Sequence, residues 1–250
     1  PTGRALLEQA AGRALKVQME MGGKNPLVVL ADADLDQAVE CAVNGAFFST
    51  GQRCTASSRL IVEAAVYDRF VVKMQARMAQ LRVGDPLDPQ VHIGPVASQA
   101  QLDTDLGYIR AGHEDGAELL AGGGRVDCPT RGHFLAPTLF AARASDRISR
   151  EEIFGPVAAL LRAADYEHAL ALANDTEFGL CAGICTTSLR HATHFKRHAQ
   201  AGMVMVNLPT AGVDPHVPFG GRKASSYGPR EQGRYAVEFY TTVKTAYTSA

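Results

Sequence analysis

One segment sets the architecture: Met19-Glu20-Met21-Gly22-Gly23-Lys24-Asn25-Pro26-Leu27-Val28-Val29-Leu30. Its last four residues form a short, uninterrupted apolar run, which is typical of a strand buried on both faces of a parallel sheet. The glycine pair before this run predicts a turn, and a further short strand is expected at 16–19. The segment therefore predicts strand, turn and strand, with the acidic residue Glu20 at the end of the first strand.

Strand and helix patterns alternate along the rest of the chain. Strands are predicted at 60–62, 117–120, 137–140, 157–161, 181–186 and 203–206, and helices at 5–15, 32–49, 67–81, 98–112, 166–174 and 189–201. This alternation predicts an α/β fold in which helices cover a mostly parallel sheet. Residues 239–247 are rich in β-branched and aromatic side chains, so a C-terminal β oligomerisation arm that needs a partner edge is also expected.

The composition excludes several classes of protein. Of the 250 residues, 46% are hydrophobic, the formal net charge is -1, and Lys and Arg never form a run longer than two. The chain is therefore expected to bury a core and to lack the basic patch of a nucleic-acid-binding protein. No apolar stretch reaches the roughly 18 residues that cross a bilayer, and residues 1–20 do not resemble a secretion signal. We expect a cytoplasmic protein with a small-molecule substrate and no nucleic-acid or membrane partner.

Two residues suggest chemistry. Cys54 lies in the loop Gly51-Gln52-Arg53-Cys54-Thr55-Ala56, between a predicted helix and a predicted strand, where a thiol can be exposed and act as a nucleophile. Glu20 precedes a glycine turn, where a carboxylate can be partly desolvated and serve as a general base. On the residues alone, a buried structural cysteine and a solvated acid remain the alternatives.

The other cysteines and the histidines are interpreted structurally. Five cysteines without a tight pattern predict reduced thiols rather than a disulfide framework. Cys181 and Cys185 share one face of a predicted strand, and Cys41 faces the core side of its helix. Three histidines of the predicted helix at 189–201 have metal-ligand spacing, but the neighbouring cations favour a basic, solvated face. No metal site is predicted.

Glu20 and Cys54 lie in motifs that resemble those of the aldehyde dehydrogenase superfamily. The family's Glu-Leu-Gly-Gly-Lys segment is matched at 20–24, with Met21 in place of leucine, and its Gly-Gln-x-Cys loop is matched at 51–54. Cys54 follows Glu20 by 34 residues, as in the family pattern. Three further blocks follow in the family's order: Glu151-Glu152-Ile153-Phe154-Gly155-Pro156-Val157, Asn174-Asp175-Thr176-Glu177-Phe178-Gly179-Leu180 and Pro218-Phe219-Gly220-Gly221-Arg222-Lys223. The resemblance covers practically the whole chain, and methionine keeps the volume and apolarity of leucine.

The resemblance implies NAD- or NADP-dependent oxidation of an aldehyde to a carboxylic acid. By analogy, Cys54 attacks the aldehyde to form a thiohemiacetal, and after hydride transfer Glu20 activates the water that hydrolyses the thioester. The resemblance also implies cofactor-binding roles for Glu152, Phe154, Met21 and Gly22, and substrate-binding roles for Arg53 and Thr55. The choice between NAD and NADP stays open.

The substrate is suggested by a segment near the C-terminus. Residues 209–233, which contain Ser225-Ser226-Tyr227-Gly228-Pro229-Arg230, resemble the subgroup that oxidises 2-oxoglutarate semialdehyde. Such a substrate carries a carboxylate, for which Arg53, next to Cys54, is a candidate partner. Succinate semialdehyde is the alternative substrate.

The chain is shorter than the family pattern. Against that pattern, residues 1–20 are the remnant of a nucleotide-binding domain, 21–237 the catalytic thiol domain, and 238–250 an oligomerisation strand that joins a neighbouring subunit in a homodimer or homotetramer. We expect these 250 residues to be inactive alone, because most of the nucleotide site and part of the oxyanion hole would lie outside them. A cofactor-free thiol esterase and a non-catalytic oligomerisation fragment remain alternative functions.

Overall fold

A computed structural model describes residues 2–250, which contain one central sheet, two short strand pairs and eight α-helices. The strands are, in chain order, Met19–Glu20 (β1), Asn25–Val29 (β2), Ser57–Glu63 (β3), Glu118–Ala121 (β4), Thr138–Ala141 (β5), Val157–Ala163 (β6), Phe178–Gly179 (β7), Cys181–Cys185 (β8), Met203–Val206 (β9), Arg222–Lys223 (β10) and Ser226–Tyr227 (β11). The helices are Thr2–Ala11 (α1), Leu35–Phe47 (α2), Tyr67–Met78 (α3), Gln99–Glu114 (α4), Arg147–Arg150 (α5), Tyr166–Asn174 (α6), Leu189–His198 (α7) and Gly233–Tyr240 (α8). A 3₁₀ turn at Phe48–Gly51 follows α2.

The central sheet has seven strands in the order β4-β5-β6-β3-β2-β8-β9. Neighbouring strands are parallel except β4 and β5, which are antiparallel. β2 lies inside the sheet, and each of its residues is buried. The predicted α/β fold with a mostly parallel sheet is therefore confirmed, and so is the buried strand predicted from the apolar run.

Alternate residues of β2 pack into different layers. Leu27 and Val29 belong to the core that includes α2 and α3, whereas Val28 and Leu30 belong to the core that includes α6 and α7. Successive side chains of a strand point to opposite faces. Because helices cover both faces of the sheet here, consecutive positions from Leu27 to Leu30 are all apolar, which explains the uninterrupted run.

One of three closely spaced acids, Asp32, Asp34 and Asp36, caps α2. Asp34 is the N-cap residue, and its carboxylate accepts from the backbone N–H groups of Asp36 at 2.9 Å and Gln37 at 3.2 Å. Asp32 instead accepts from the hydroxyl of Thr186 at 2.8 Å, just beyond β8. Helix capping thus accounts for Asp34, while Asp32 ties the end of β2 to the end of β8.

The C-terminal segment differs from its prediction. Phe239 and Tyr240 end α8 instead of beginning a strand, and residues 241–250 form no strand within the described part of the chain. An isolated strand leaves its backbone groups unpaired, whereas a helix satisfies them locally. The side chain of Val243 is 98% exposed, so the segment does not pack on its own subunit.

The three cysteines assigned to the core are buried, as predicted. Cys41 of α2 and Cys185 of β8 lie against each other as free thiols, at the contact between helix and sheet. No helix within residues 2–250 is both long and apolar enough to cross a membrane.

Candidate active site

The loop that carries Cys54 begins with an unusual backbone. Ser49, Thr50 and Gly51 have φ values of 53°, 58° and 64° in succession, which turn the chain sharply after α2. A side chain at Gly51 would collide with the carbonyl oxygen of Gly155. Glycine is required there, because it alone combines positive φ with this close approach. The turn places Cys54 at the amino end of β3, an interior strand of the sheet.

Asn25 holds the Cys54 loop against the sheet. Its side-chain amide donates to the carbonyl oxygens of Cys54 at 2.8 Å and Ala56 at 2.9 Å, and its Oδ1 accepts from the N–H of Cys181 at 2.9 Å. Three of the four hydrogen bonds that an asparagine side chain can make are therefore used. Because Asn25 is 1% exposed, these bonds are shielded from water and fix the loop to β2 and β8.

The Cys54 thiol is half-buried. It packs against the apolar group formed by Leu180, Cys181 and Phe219. Burial raises the pKa of the thiol, the backbone N–H groups of Cys54 and Thr55 lower it, and the nearby carboxylates of Glu20 and Glu152 raise it further. The resting sulfur is therefore a protonated thiol whose anion would be stabilised by two backbone donors.

Glu20 lies at the same end of the sheet, on the short ribbon of β1 and β11. It pairs with Ser226, whose Oγ donates to Glu20 Oε2 at 2.7 Å. Burial raises the pKa of the Glu20 carboxyl, the hydrogen bond from Ser226 lowers it, Glu231 raises it and Arg230 lowers it. Oε1 is buried and has no hydrogen-bond partner within the described residues. Glu20 thus presents one free oxygen in a partly desolvated environment shared with Cys54.

Glu152 reaches the glycine turn of the opening motif. Its Oε1 accepts from the N–H of Gly23 at 2.8 Å, and its carboxylate packs so closely on Gly22 that a side chain there would collide with it. A side chain at position 22 would therefore displace the Glu152 carboxylate from its present position. The structure brings together Gly22 and Glu152, two residues assigned to the cofactor by resemblance.

Phe154 has a strained backbone and an exposed ring. Its φ is 60° and its side chain is 40% exposed. A non-glycine residue with positive φ is uncommon and is maintained only by its surroundings. Here the support is Gln101, which donates to the carbonyl oxygen of Ile153 at 2.9 Å and to Asp105 at 2.8 Å, while Asp105 packs on Gly155. This support holds the Phe154 ring outward from the loop.

The other predicted site residues are placed less directly. Met21 packs on Gly3 of α1 through its sulfur, so it links the opening motif to the N-terminal helix. Thr55 is buried, and its carbonyl oxygen accepts from Thr210 at 2.7 Å. Arg53 uses Nη2 to donate to the carbonyl oxygen of Asn44 in α2. The Arg53 guanidinium is therefore anchored to the protein, although Nη1 forms no hydrogen bond within the described residues.

Three residues that support the site were not assigned by the sequence analysis. Asn25 holds Cys54 and directly follows the family segment at 20–24, whereas Ser226 holds Glu20 and lies in the segment 209–233 quoted for the subgroup resemblance. Nearness to these segments was the signal available. Lys24 is 1% exposed, and its Nζ has no partner within the described residues. Burial, assisted by Arg59, lowers the pKa of Lys24 to about 7. The burial of Lys24 could not be predicted from the sequence, because a lysine that follows a glycine pair is typical of an exposed polar turn.

The histidines of α7 do not assemble a metal site. His194 Nδ1 and the hydroxyl of Tyr166 share a hydrogen bond at 2.7 Å. The ring of His194 also stacks on His198, and the ring of His191 stacks on Tyr166. His194 and His198 are exposed on a basic face, as the composition of the helix indicated. Within residues 2–250, no group of three His, Cys, Asp or Glu side chains converges to hold a metal ion.

Fold and site together define an α/β protein that places a thiol and a carboxylate at one end of a parallel sheet. The sequence profile of the aldehyde dehydrogenase family matches residues 1–246, and the chain belongs to that family.

Curated relatives and solved structures agree with this assignment. The chain is 44% identical to alpha-ketoglutaric semialdehyde dehydrogenase of Bacillus subtilis, over 98% of this chain and 51% of the relative, and 43% identical to alpha-ketoglutarate semialdehyde dehydrogenase of Haloferax volcanii, over 99% and 52%. The crystal structure of betaine aldehyde dehydrogenase from Staphylococcus aureus in complex with NAD+ matches with a TM-score of 0.91 at 31% identity, over 96% of this chain and 48% of that one. The chain thus spans about half the length of the proteins it matches.

Proposed function

We propose that these residues form the thiol half of an NAD(P)-dependent aldehyde dehydrogenase, with Cys54 as nucleophile and Glu20 as general base. The observation that carries the proposal is the shared environment of the two groups. Cys54 packs beside Cys181 and Phe219, and the carboxylate of Glu20 lies close enough to raise the pKa of the Cys54 thiol. A nucleophile and a base within one desolvated site are what thioester chemistry requires.

Cys54 forms the covalent bond to the substrate. The thiol gives its proton to solvent water, the sulfur attacks the aldehyde carbon, and the carbonyl oxygen becomes the oxyanion of a thiohemiacetal. The backbone N–H groups of Cys54 and Thr55, which lower the pKa of the thiol, point toward this centre and are the donors that the described residues supply for negative charge. A bound nicotinamide would supply the hydride acceptor, and Cys54 would then carry the acyl group as a thioester.

Glu20 completes the cycle. Water gives a proton to the free Oε1 of Glu20 and adds to the thioester carbon, and the carbon–sulfur bond then breaks to release the carboxylic acid and the Cys54 thiolate. Because burial raises the pKa of Glu20, the carboxylate is a stronger base than a solvated glutamate and accepts a proton nearer neutral pH.

The loop of Glu152 and Phe154 fits the reactive end of a nicotinamide cofactor. The ring of Phe154 is held outward and offers an apolar face for a planar ring, and Glu152 has a second oxygen that can accept from ribose hydroxyl groups. Gly22 admits the Glu152 carboxylate, and Met21 follows β1 and packs on Gly3 of α1. The NAD+ complex of the structural relative supports NAD as a cofactor, and NADP remains the alternative.

The proposed substrate is 2-oxoglutarate semialdehyde. The names of two relatives at 44% and 43% identity support this choice over succinate semialdehyde. Arg53 contributes through Nη1, since Nη2 is committed to α2, and Thr55 forms the floor of the site next to Cys54. Measurement of kcat/KM for the two semialdehydes tests the choice, and a preference for succinate semialdehyde would overturn it.

Domain roles and assembly follow the same family pattern. Residues 1–20 belong with a nucleotide-binding domain, 21–237 form the thiol domain, and 238–250 form the contact to a second subunit in a homodimer or homotetramer. The exposed side chains of Tyr240, Val243 and Tyr247 support an intersubunit contact, because isolated apolar groups of this size favour burial. The proposed location is the cytoplasm, and no nucleic-acid or membrane partner is invoked.

Trapping the acyl-enzyme tests the proposed function. The complete protein is incubated with the aldehyde and NAD+ or NADP+, and Glu20→Gln is expected to accumulate an acyl group on Cys54 that mass spectrometry detects. Cys54→Ala should form none. Absence of acyl-Cys54 in Glu20→Gln would contradict the assignment, and assembly without any thiol reactivity would favour the non-catalytic alternative. The inactivity of the 250 residues alone remains a prediction that the same assay tests.

A further inference from the structure

The side chain of Ser226 contacts the proposed general base, Glu20, directly. Its Oγ donates to Glu20 Oε2 at 2.7 Å and accepts from the N–H of Gly221 at 2.6 Å. A serine hydroxyl has one proton to donate, and the bond from Gly221 leaves that proton directed at Glu20. The antiparallel pairing of Glu20 with Ser226 keeps both residues in register, so the contact is built into the ribbon of β1 and β11.

The two oxygens of Glu20 therefore differ. Oε2 is tied to Ser226, whereas Oε1 is buried, without a hydrogen-bond partner in residues 2–250, and lies beside the backbone of Gly220. A carboxylate anchored through one oxygen presents the other in a fixed direction. Ser226 thus decides which oxygen is available for chemistry.

We infer that Ser226 is the positioning residue of the general base: its hydroxyl anchors Oε2 of Glu20 and leaves Oε1 to receive the proton of the hydrolytic water. This inference rests on the proposed role of Glu20 in deacylation. It adds a residue outside the nucleophile and base, and it assigns Ser226 of the C-terminal motif a function distinct from substrate choice.

The hydrogen bond also has a consequence for pH. A donor to a carboxylate stabilises the charged form and lowers its pKa, so Ser226 opposes the effect of burial on Glu20. The other groups that face Glu20 are Arg230 and Glu231 of the C-terminal segment, Cys54 of the loop and Cys181 of β8. Arg230 acts in the same direction as Ser226, and Glu231 acts against both, but neither contacts Glu20 through a hydrogen bond.

Hydrolysis of an activated ester by the complete protein allows acylation and deacylation of Cys54 to be measured separately, and it needs no cofactor. p-Nitrophenyl acetate would acylate Cys54 in a burst, and hydrolysis of the acetyl-enzyme would follow at the rate that Glu20 controls. Ser226→Ala is expected to keep the burst and to raise the pH midpoint of deacylation by about one unit, the size of a charge-assisted hydrogen bond. Below both midpoints, deacylation then slows about tenfold, since one pH unit is a factor of ten in the ionised fraction.

Two variants serve as controls. Ser226→Thr keeps the hydroxyl and is expected to keep the midpoint of the wild type, which a merely structural role in strand packing would not require. Ser145→Ala removes an exposed serine far from the contacts of Glu20 and should leave the profile unchanged. Glu20→Gln should keep the burst and abolish the pH-dependent deacylation.

A direct titration keeps the inference testable where turnover is slow. The side-chain carboxyl carbon of Glu20, assigned by its loss in Glu20→Gln, is followed by ¹³C NMR, and its midpoint should rise in Ser226→Ala. An unchanged midpoint in Ser226→Ala would overturn the inference while leaving the base intact. Normal deacylation in Glu20→Gln would instead overturn the proposed function of Glu20 itself.

Discussion

The backbone of Gly51 lies directly on the carbonyl oxygen of Gly155, so closely that no side chain fits at position 51. Gly51 begins the loop of Cys54, and Gly155 follows Phe154 in the loop proposed to face the nicotinamide. The two loops therefore position each other through main-chain contact. Since packed backbones cannot be compressed, a displacement of one loop must move the other.

Gly51→Ala should disturb both loops. The new side chain would adopt an unfavourable φ of 64° and collide with Gly155, so we expect a loss of about 1–3 kcal/mol of stability and slower alkylation of Cys54 by iodoacetamide. Thermal unfolding and the alkylation rate measure the two effects. Gly124→Ala, at a position with open space around it, is the matched control and should behave like the wild type. A tolerated alanine at position 51 would disprove the contact.

Removal of the Asn25 side chain should release the Cys54 loop. Asn25→Ala leaves the carbonyl oxygens of Cys54 and Ala56 and the N–H of Cys181 without their partner, which is expected to cost about 2–4 kcal/mol because these groups are buried. Urea denaturation measures the loss. Asn44→Ala, in which a half-buried helix side chain is removed, provides the comparison. Equal stability of the two variants would show that Asn25 does not hold the loop.

Asp105 should make stability depend on pH. Burial raises the pKa of its carboxyl from 3.8 to about 7, while the hydrogen bond from Gln101 lowers it. The folded protein therefore binds a proton that the unfolded chain releases between about pH 4 and 7, and this contribution to stability is lost as the pH rises through that window. In Asp105→Asn this contribution should disappear, so the stability of the variant should fall less between pH 4 and 7 than that of the wild type. Melting temperatures recorded from pH 4 to 8 check this, and parallel curves for the two proteins would contradict it.

Lys24 should be replaceable by an apolar residue. Burial lowers the pKa of its amino group to about 7, so the folded protein disfavours the proton that the unfolded chain keeps up to about pH 10.5. Stability from this group therefore rises between pH 7 and 10.5. We expect Lys24→Met to be more stable at pH 7 by about 1–3 kcal/mol, with the difference shrinking toward pH 10.5. Denaturation at both pH values tests this, with the exposed Lys196→Met as control; a less stable Lys24→Met would show that the amine has a partner.

Most regular elements could be predicted from local patterns. The apolar run at 27–30 and the acids before α2 are local signals, which act within a few residues of the element that they shape. β2 and α2 were therefore predicted with only small shifts at their ends. The helix at 233–240 was missed, and Phe239 and Tyr240 end it instead of beginning a strand. A strand contact of the following residues with a second subunit stays a prediction, because its backbone partner would come from another chain.

The amino-acid sequence alone predicted the α/β class, the family motifs and the two candidate reactive residues, because each of these is recognised from residues that are neighbours along the chain. Only the tertiary structure showed that Asn25 donates a hydrogen bond to the carbonyl oxygen of Cys54 and that Ser226 donates one to Glu20. It also showed that Lys24 is buried without a partner among residues 2–250. Glu20 and Ser226 are separated by 206 residues along the chain. Contacts of this kind, and the desolvation that shifts the pKa values of the site, arise only when distant segments pack together and exclude water.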